Sequence, residues 1–482
     1  MDLLSAETRK ILGSYGATTP STSAATTSNA LQSDGHHVHL EPSTDYGLKP
    51  RHSRKWNDRS SIMNSVMRQS TMPLSVMGQG KRAGLQGYRS PLNYLLPLVP
   101  LGIVGGILGW APSAVFLLNF CGCIPLATIL GRATEDVAEH TNETIGGLIN
   151  ATFGNAVELI LSIVALRAGN LDVVRNTLVG SILSNLLLVL GSSLFFGGLI
   201  FREQEILPVV VENNSLALGV SLAGFVLPTL FSIVLDHAKA SNIQSKNEIF
   251  SLVTSILMLV VYACYLFFQL YTHADFFDGI EDEGDDEIEN VDTEFTPLAR
   301  GNGDDGVFAR DGSEESEADD DNEIPPAPMK VALTILVIDV AVVAVCCEFL
   351  VGSIDGFATR MHLGTAFVAV ILLPVIGNAV EHLSAVMVAM KNKMDLSVGI
   401  ACGSSVQIAM FAAPLMVVVS WVVTPSGVPR LTLDLDFLDL VTVGIAVFTA
   451  NLTLRDASTN WLEGASLIMI YLMIGTAFYI IG

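Results

Sequence analysis

Apolar residues in this chain run unbroken for about 18 to 27 positions at a time, with short polar breaks between the runs. Such runs are long enough to cross a bilayer as helices. They do not alternate between apolar and polar positions, so the pattern disfavours strands and predicts an all-α polytopic fold. Eleven spans are predicted, at about 92–109, 113–131, 144–167, 174–200, 206–231, 247–271, 329–352, 363–390, 396–422, 436–453 and 460–481. The first two are separated only by Trp110-Ala111-Pro112. If 92–131 formed one span, every later orientation would reverse.

These spans divide the chain. Residues 1–90 are polar, rich in Ser and Thr, and are expected to form a disordered tail. Residues 91–110 hold the first span, 111–272 a five-helix repeat, 273–328 a polar loop and 329–482 a second five-helix repeat. An odd number of crossings per repeat makes the two halves enter the membrane in opposite directions. The basic residues Arg51, Arg54, Lys55, Arg59, Arg68, Lys81, Arg82 and Arg89 precede the first span. They place the N-terminus in the cytosol, and six crossings then return the 273–328 loop to the same side.

Composition agrees with a membrane protein. Half the residues are hydrophobic, only 15% are charged, and the mean hydropathy is +0.52. The net charge of -23 is local. Residues 273–323 carry 21 Asp and Glu against Arg300 and Arg310. This acidic loop argues against a nucleic-acid partner. Its readings are a solvated spacer, a loose Ca²⁺-binding patch or a phosphorylation target at Ser313 and Ser316. No stretch of it has EF-hand ligand spacing. The six cysteines all fall in apolar segments and lack structural zinc spacing, so they read as small apolar helix residues.

Against this apolar background one word occurs twice. Gly154-Asn155-Ala156-Val157-Glu158 and Gly377-Asn378-Ala379-Val380-Glu381 each sit inside a predicted span, 223 residues apart. The same shift lays Gly180-Ser181-Ile182-Leu183-Ser184 on Gly403-Ser404-Ser405-Val406-Gln407. A matched spacing across two helices and a loop implies a duplicated hairpin. A carboxylate in the bilayer interior costs about 3 kcal/mol or more, so a matched pair implies a site.

Positions three or four apart share a helix face. Asn155 lines up with Glu158, Asn378 with Glu381, Ser181 with Ser184, and Ser404 with Gln407. The set is all oxygen, which suits a hard cation such as Ca²⁺, with Glu158 and Glu381 as the metal-holding pair. Gly154 and Gly377 are candidate helix breaks that free backbone carbonyls. Taken singly, Ser181, Ser184, Ser404 and Ser405 read as helix-packing residues more often than as ligands. Two carboxylates match the charge of one divalent ion. Left empty, they repel and lose hydration, so the site takes up protons instead. Glu135, Asp136 and Glu139 follow span 2 and form a candidate cytosolic vestibule, or a solvated helix end.

These motifs, the eleven spans and the acidic central loop resemble the calcium/proton exchangers of fungal and plant vacuolar membranes. Those belong to the wider cation/Ca²⁺ exchanger superfamily. Thr134-Glu135-Asp136 and Tyr265-Leu266-x-Phe268-Gln269-Leu270-x-Thr272-His273 add to the likeness, which runs from about residue 90 to the end. The resemblance implies a secondary antiporter that moves Ca²⁺ from cytosol to vacuole in exchange for H⁺, often with Mn²⁺ as a further substrate. It implies that Glu158 and Glu381 bind Ca²⁺ and protons in turn, with Asn155, Asn378, Ser181, Ser184, Ser404 and Gln407 in support. No enzymatic activity and no cofactor are expected, and there is no Gly-Lys-Ser/Thr phosphate loop. Two alternatives remain at this stage: a Na⁺-coupled Ca²⁺ exchanger, and a non-transporting membrane sensor that binds Ca²⁺ through the acidic loop. Oligomeric state is not legible.

Overall fold

The computed structural model describes residues 88, 90–141, 146, 149, 152–239, 242–273, 326–425 and 427–481. The expected tail therefore lies almost wholly outside the described residues, as does most of the acidic loop.

The described chain is nearly all helix. After a 3-10 turn at Pro91–Leu95 come α1 (Leu98–Ile107), α2 (Pro112–Glu139), α3 (Ala156–Arg167) and α4 (Leu171–Ile200). Then follow α5 (Pro208–His237), α6 (Ile243–Thr272), α7 (Met329–Met361), α8 (Thr365–Gly377) and α9 (Ala379–Ala389). The last three are α10 (Met394–Val423), α11 (Phe437–Leu454) and α12 (Trp461–Ile481). Strand is confined, among the described residues, to a two-residue antiparallel pairing, Gln204 with Thr459 and Glu205 with Ser458.

Eight of these helices are long and apolar enough to cross a membrane, or nine if the bent pair α8–α9 is one span. The expected count of eleven is thus not confirmed among the described residues. Two places account for the difference. The helical part of the first span is only ten residues long, and part of the third lies outside the described residues. Trp110-Ala111-Pro112 does separate two helices: α1 ends at Ile107 and Pro112 opens α2. Proline suits a first helical turn because its missing N–H has no partner there anyway.

Helix α2 continues eight residues beyond the predicted end at 131. The polar residues that suggested a loop pair internally. Arg132 reaches Glu135 at 3.5 Å and Asp136 at 3.0 Å. Spacings of three and four put these groups on one helix face, so the charges are met without leaving the helix.

The core is a seam between the two halves. Helix α2 packs along α7, with Phe116 stacked on Phe357 at 4.0 Å between ring centroids. Helix α4 crosses α8 so closely that a Cβ on Gly180 would overlap the Val370 carbonyl oxygen. Only glycine permits that approach of backbones. Around this crossing Leu183, Leu186, Leu187, Val368, Val370 and Val406 are fully buried. Helices α5, α6 and α12 are largely exposed and apolar, as expected of surfaces that face lipid.

Candidate functional site: a two-carboxylate pair at the crossing of broken helices

Both Gly-Asn-Ala-Val-Glu words lie at interruptions in a helix. The first is a turn at Gly154–Asn155, after which α3 begins at Ala156. The second is a turn at Asn378, where α8 and α9 meet at a 58° bend. The asparagines stand at the N-cap positions, yet neither side chain caps its own helix. A cap of this kind contributes about 1 kcal/mol, so the side chains are used elsewhere. Asn155 Nδ2 donates to Gln407 Oε1 at 2.7 Å, across to α10. Asn378 Nδ2 donates to the Ser181 carbonyl at 3.2 Å, across to α4. Each half thus reaches into the other through its asparagine.

Glu158 and Glu381 occupy the first turns of α3 and α9 and are 3% and 5% exposed. Helix N-termini favour anions, but by about 0.3–1 kcal/mol in exposed settings. Burial of a carboxylate costs several kcal/mol, so the helix ends alone do not hold two negative charges there. The two groups are neighbours. A Cβ on Gly377 would overlap Glu158 Oε1, and Gly377 lies four residues before Glu381. Glu158 therefore touches the backbone from which Glu381 is hung.

Several oxygens in this region are buried without a hydrogen-bond partner: Glu158 Oε1, Glu381 Oε2, Asn378 Oδ1, Ser181 Oγ and Asn185 Oδ1. Such groups are rare in folded proteins, because each costs about 1–3 kcal/mol. At the meeting of the two broken helices they leave oxygen acceptors whose hydrogen-bonding capacity is unused. A small cavity lies beside Glu158, lined by Val157, Leu161, Thr177, Ser181, Cys347 and Gly377 among others, with space for about one water. Among the described residues, no group of three His, Cys, Asp or Glu side chains is placed to hold a metal ion by itself. A cation would rest on the two carboxylates together with amide, hydroxyl and carbonyl oxygens, a hard donor set.

The remaining predicted site residues divide. Ser404 accepts from Asn185 Nδ2 at 2.9 Å, and Gln407 joins Asn155. Ser184 is buried at the head of a π-helical segment, Ser184–Val189, beside Tyr471. A second π segment, Ile408–Ala412, follows Gln407 at the matching place in the other half. Single π turns often occur at functional sites. Glu135 and Asp136 are 2% and 0% exposed, so neither opens to solvent as a vestibule requires; only Glu139 is half-exposed. Their face is closed by Arg132 and by Tyr88, whose hydroxyl donates to Asp136 at 2.6 Å. Burial and this hydrogen bond push the Tyr88 phenol well above its usual range.

Sequence reasoning missed Asn185 and Thr177. Asn185 has no repeat partner, since Ile408 stands 223 residues on. Its only signal was adjacency to Ser184.

The sodium/calcium exchanger protein family matches residues 112–271 and 331–480. The chain belongs to that family. A vacuolar calcium ion transporter of Schizosaccharomyces pombe is 34% identical over 440 residues, covering 91% of this chain and 95% of that protein. The vacuolar cation/proton exchanger 5 of Arabidopsis thaliana is 38% identical over 390 residues, covering 81% of each. Among solved structures, the Ca²⁺/H⁺ antiporter protein YfkE is 30% identical, with a TM-score of 0.61, covering 81% of this chain and 99% of that one. A family of exchangers carries ions and is not one of enzymes, as the resemblance implied.

The Asn155–Gln407 contact gives a direct test of how the donor set is shaped. Gln407→Ala removes one buried hydrogen bond of about 1 kcal/mol and frees the Asn155 amide. The expected result is a shift of about fivefold in competition between Mn²⁺ and Ca²⁺, read from uptake in reconstituted vesicles. Superimposable competition curves would reject a role for this pair in ion choice.

Proposed function

We propose that this protein is a secondary antiporter that exchanges Ca²⁺ for H⁺ at a site built on Glu158 and Glu381. The carrying observation is the contact of Glu158 with the backbone at Gly377, which brings together one buried carboxylate from each half. One Ca²⁺ or protons discharge the pair. An empty, fully ionised pair is too costly to cross, so the two ions move in alternation. Residues 111–272 and 329–482 act as inverted halves that rock around this site. The substrates are Ca²⁺ and H⁺, with Mn²⁺ as a further cation, and no cofactor takes part.

The relatives' names support the proton as the counter-ion and a vacuolar membrane as the location; Ca²⁺ is then carried inward from the cytosol. On that reading the N-terminus and the acidic loop face the cytosol. The deciding experiment is Ca²⁺ uptake into reconstituted vesicles under an imposed pH gradient with no Na⁺ present. Uptake under these conditions is expected. Uptake that needs Na⁺ and ignores pH would assign the chain to Na⁺-coupled exchange. Deleting residues 281–321 tests the sensor alternative: transport is expected to survive the loss of the acidic loop.

A further inference from the structure

One carboxylate inside the bundle takes no part in the site above. Asp339 lies on α7, is 5% exposed, and keeps Oδ2 buried without a hydrogen-bond partner. Its helix face also carries Leu336, Val343, Cys346, Cys347 and Leu350, all buried. Spacings of three and four place them on one stripe.

Helix α2 covers this stripe, and the register between the two helices is legible. Phe116 stacks on Phe357, and a Cβ on Gly356 would press into Pro112 at 2.5 Å. Further along, the Cys123 thiol meets those of Cys346 and Cys347. The helices are therefore antiparallel. Asp339 lies between the thiols and the end of the bundle where α2 finishes at Glu139 and α7 begins at Met329. Cys123, Cys347 and Leu350 in turn line the cavity beside Glu158. Asp339 thus lies on the same seam as the cavity beside Glu158, without lining it. Asp339 and Cys346 are seven residues apart, about 10 Å of helix rise.

The groups that face Asp339 identify what it handles. The titratable neighbours recorded for it are the thiols of Cys123 and Cys346. Among the described residues no charged side chain of α1, α2, α3 or α8 is recorded against it. A buried carboxylate without a cation costs several kcal/mol over a packed apolar residue, and an apolar residue would fill this helix face. A single carboxylate with thiols around it lacks the oxygen donors that hold Ca²⁺. A proton is the remaining species that discharges it.

We propose that Asp339 is a proton-relay carboxylate of the α2–α7 seam, passing protons between Glu158 and the Glu139/Met329 end of the bundle. The relay rests on the proton-exchange reading above. In one direction the Asp339 O–H bond breaks as its proton passes to water entering the seam, and, relayed along that water, a proton is given by the water beside Glu158 to the Glu158 carboxylate. The reverse direction exchanges the same bonds, and no atom or charge is left over. Asp339 touches no transported Ca²⁺, so its effect falls on the proton half of the cycle alone.

The test compares the full-length protein with Asp339→Asn and Asp339→Glu in reconstituted vesicles, in two modes. One is Ca²⁺ uptake driven by an imposed pH gradient. The other is exchange of radiolabelled Ca²⁺ for Ca²⁺ at equal pH, which moves no protons. For Asp339→Asn, proton-driven uptake is expected to fall about tenfold or more, with an unchanged half-saturating Ca²⁺ concentration. Ca²⁺/Ca²⁺ exchange is expected to persist, and Asp339→Glu to restore most of the driven rate. Equal loss in both modes means a packing role and overturns the relay, as does no loss in either. A wild-type protein that moves Ca²⁺ only on a Na⁺ gradient overturns the exchange reading itself, and the relay with it, whatever the variants do.

Discussion

Glu158→Gln and Glu381→Gln are each expected to abolish proton-driven Ca²⁺ uptake while the protein still folds and reaches its membrane. Glutamine keeps the shape and one acceptor oxygen of the side chain but removes the charge and the titrating proton. With one carboxylate left, the pair no longer balances a divalent ion, and the loss of one close charge costs several kcal/mol in a dry site. That corresponds to at least about a thousandfold in affinity. Stability should move the other way. Each unmutated Glu bears a desolvation cost, with Glu158 Oε1 and Glu381 Oε2 buried and unpartnered. Neutral amides at these sites remove that cost, so detergent-solubilised variants are expected to melt no earlier than the parent in the absence of Ca²⁺. The parent alone should gain stability on adding Ca²⁺. Retained pH-driven uptake in either variant would remove these residues from the site. Both assays read the same molecule, so a misfolded variant is recognised by its melting curve.

Gly377→Ala is the second large effect expected, and it follows from geometry alone. A Cβ there would overlap Glu158 Oε1 and come within 2.8 Å of the carboxyl carbon. The colliding atoms are the far end of a flexible side chain, so the helix itself has room to stay in place. The Glu158 carboxylate swings away from the second broken helix, and the two acids separate. Transport is therefore expected to fall by about two orders of magnitude, as for a misplacement of about 1 Å in a preorganised site. Thermal stability should change by less than about 1 kcal/mol. Gly180→Ala serves as the contrast. There the added carbon meets the Val370 carbonyl and lies 2.6 Å from Pro374 Cγ, so rigid backbone and a ring must move. That variant is expected to lose stability as well as transport. Equal behaviour of the two variants, whether both stable or both unstable, would show that Gly377 does not act through Glu158.

Asp339 and Asn185 show where a repeat-based reading of the chain stops. The duplicated word drew attention to Glu158 and Glu381 because it occurs twice. Asp339 has Phe116 as its counterpart and Asn185 has Ile408, so neither stands out by repetition. The vestibule expectation met a different obstacle. Glu135 and Asp136 look like exposed charges because acidic residues usually end a span. Arg132 on the same face and Tyr88 from the preceding segment turn them into a buried cluster.

The positions of several long helices were determined by the sequence itself. The expected 174–200 segment appears as Leu171–Ile200 and 396–422 as Met394–Val423, and the expected 363–390 appears as the broken pair α8–α9. Hydropathy suffices there because each apolar side chain gains its transfer free energy in any lipid or core setting, whatever its neighbour. The matched oxygen-bearing words were legible for a similar reason: a polar residue in such a run is conspicuous on its own. Which oxygen meets which was decided only in three dimensions. Asn155 finds Gln407 252 positions away and Asn378 finds Ser181 197 positions away. Those pairings depend on how helices from two halves cross, and directional hydrogen bonds form only after packing has fixed that crossing.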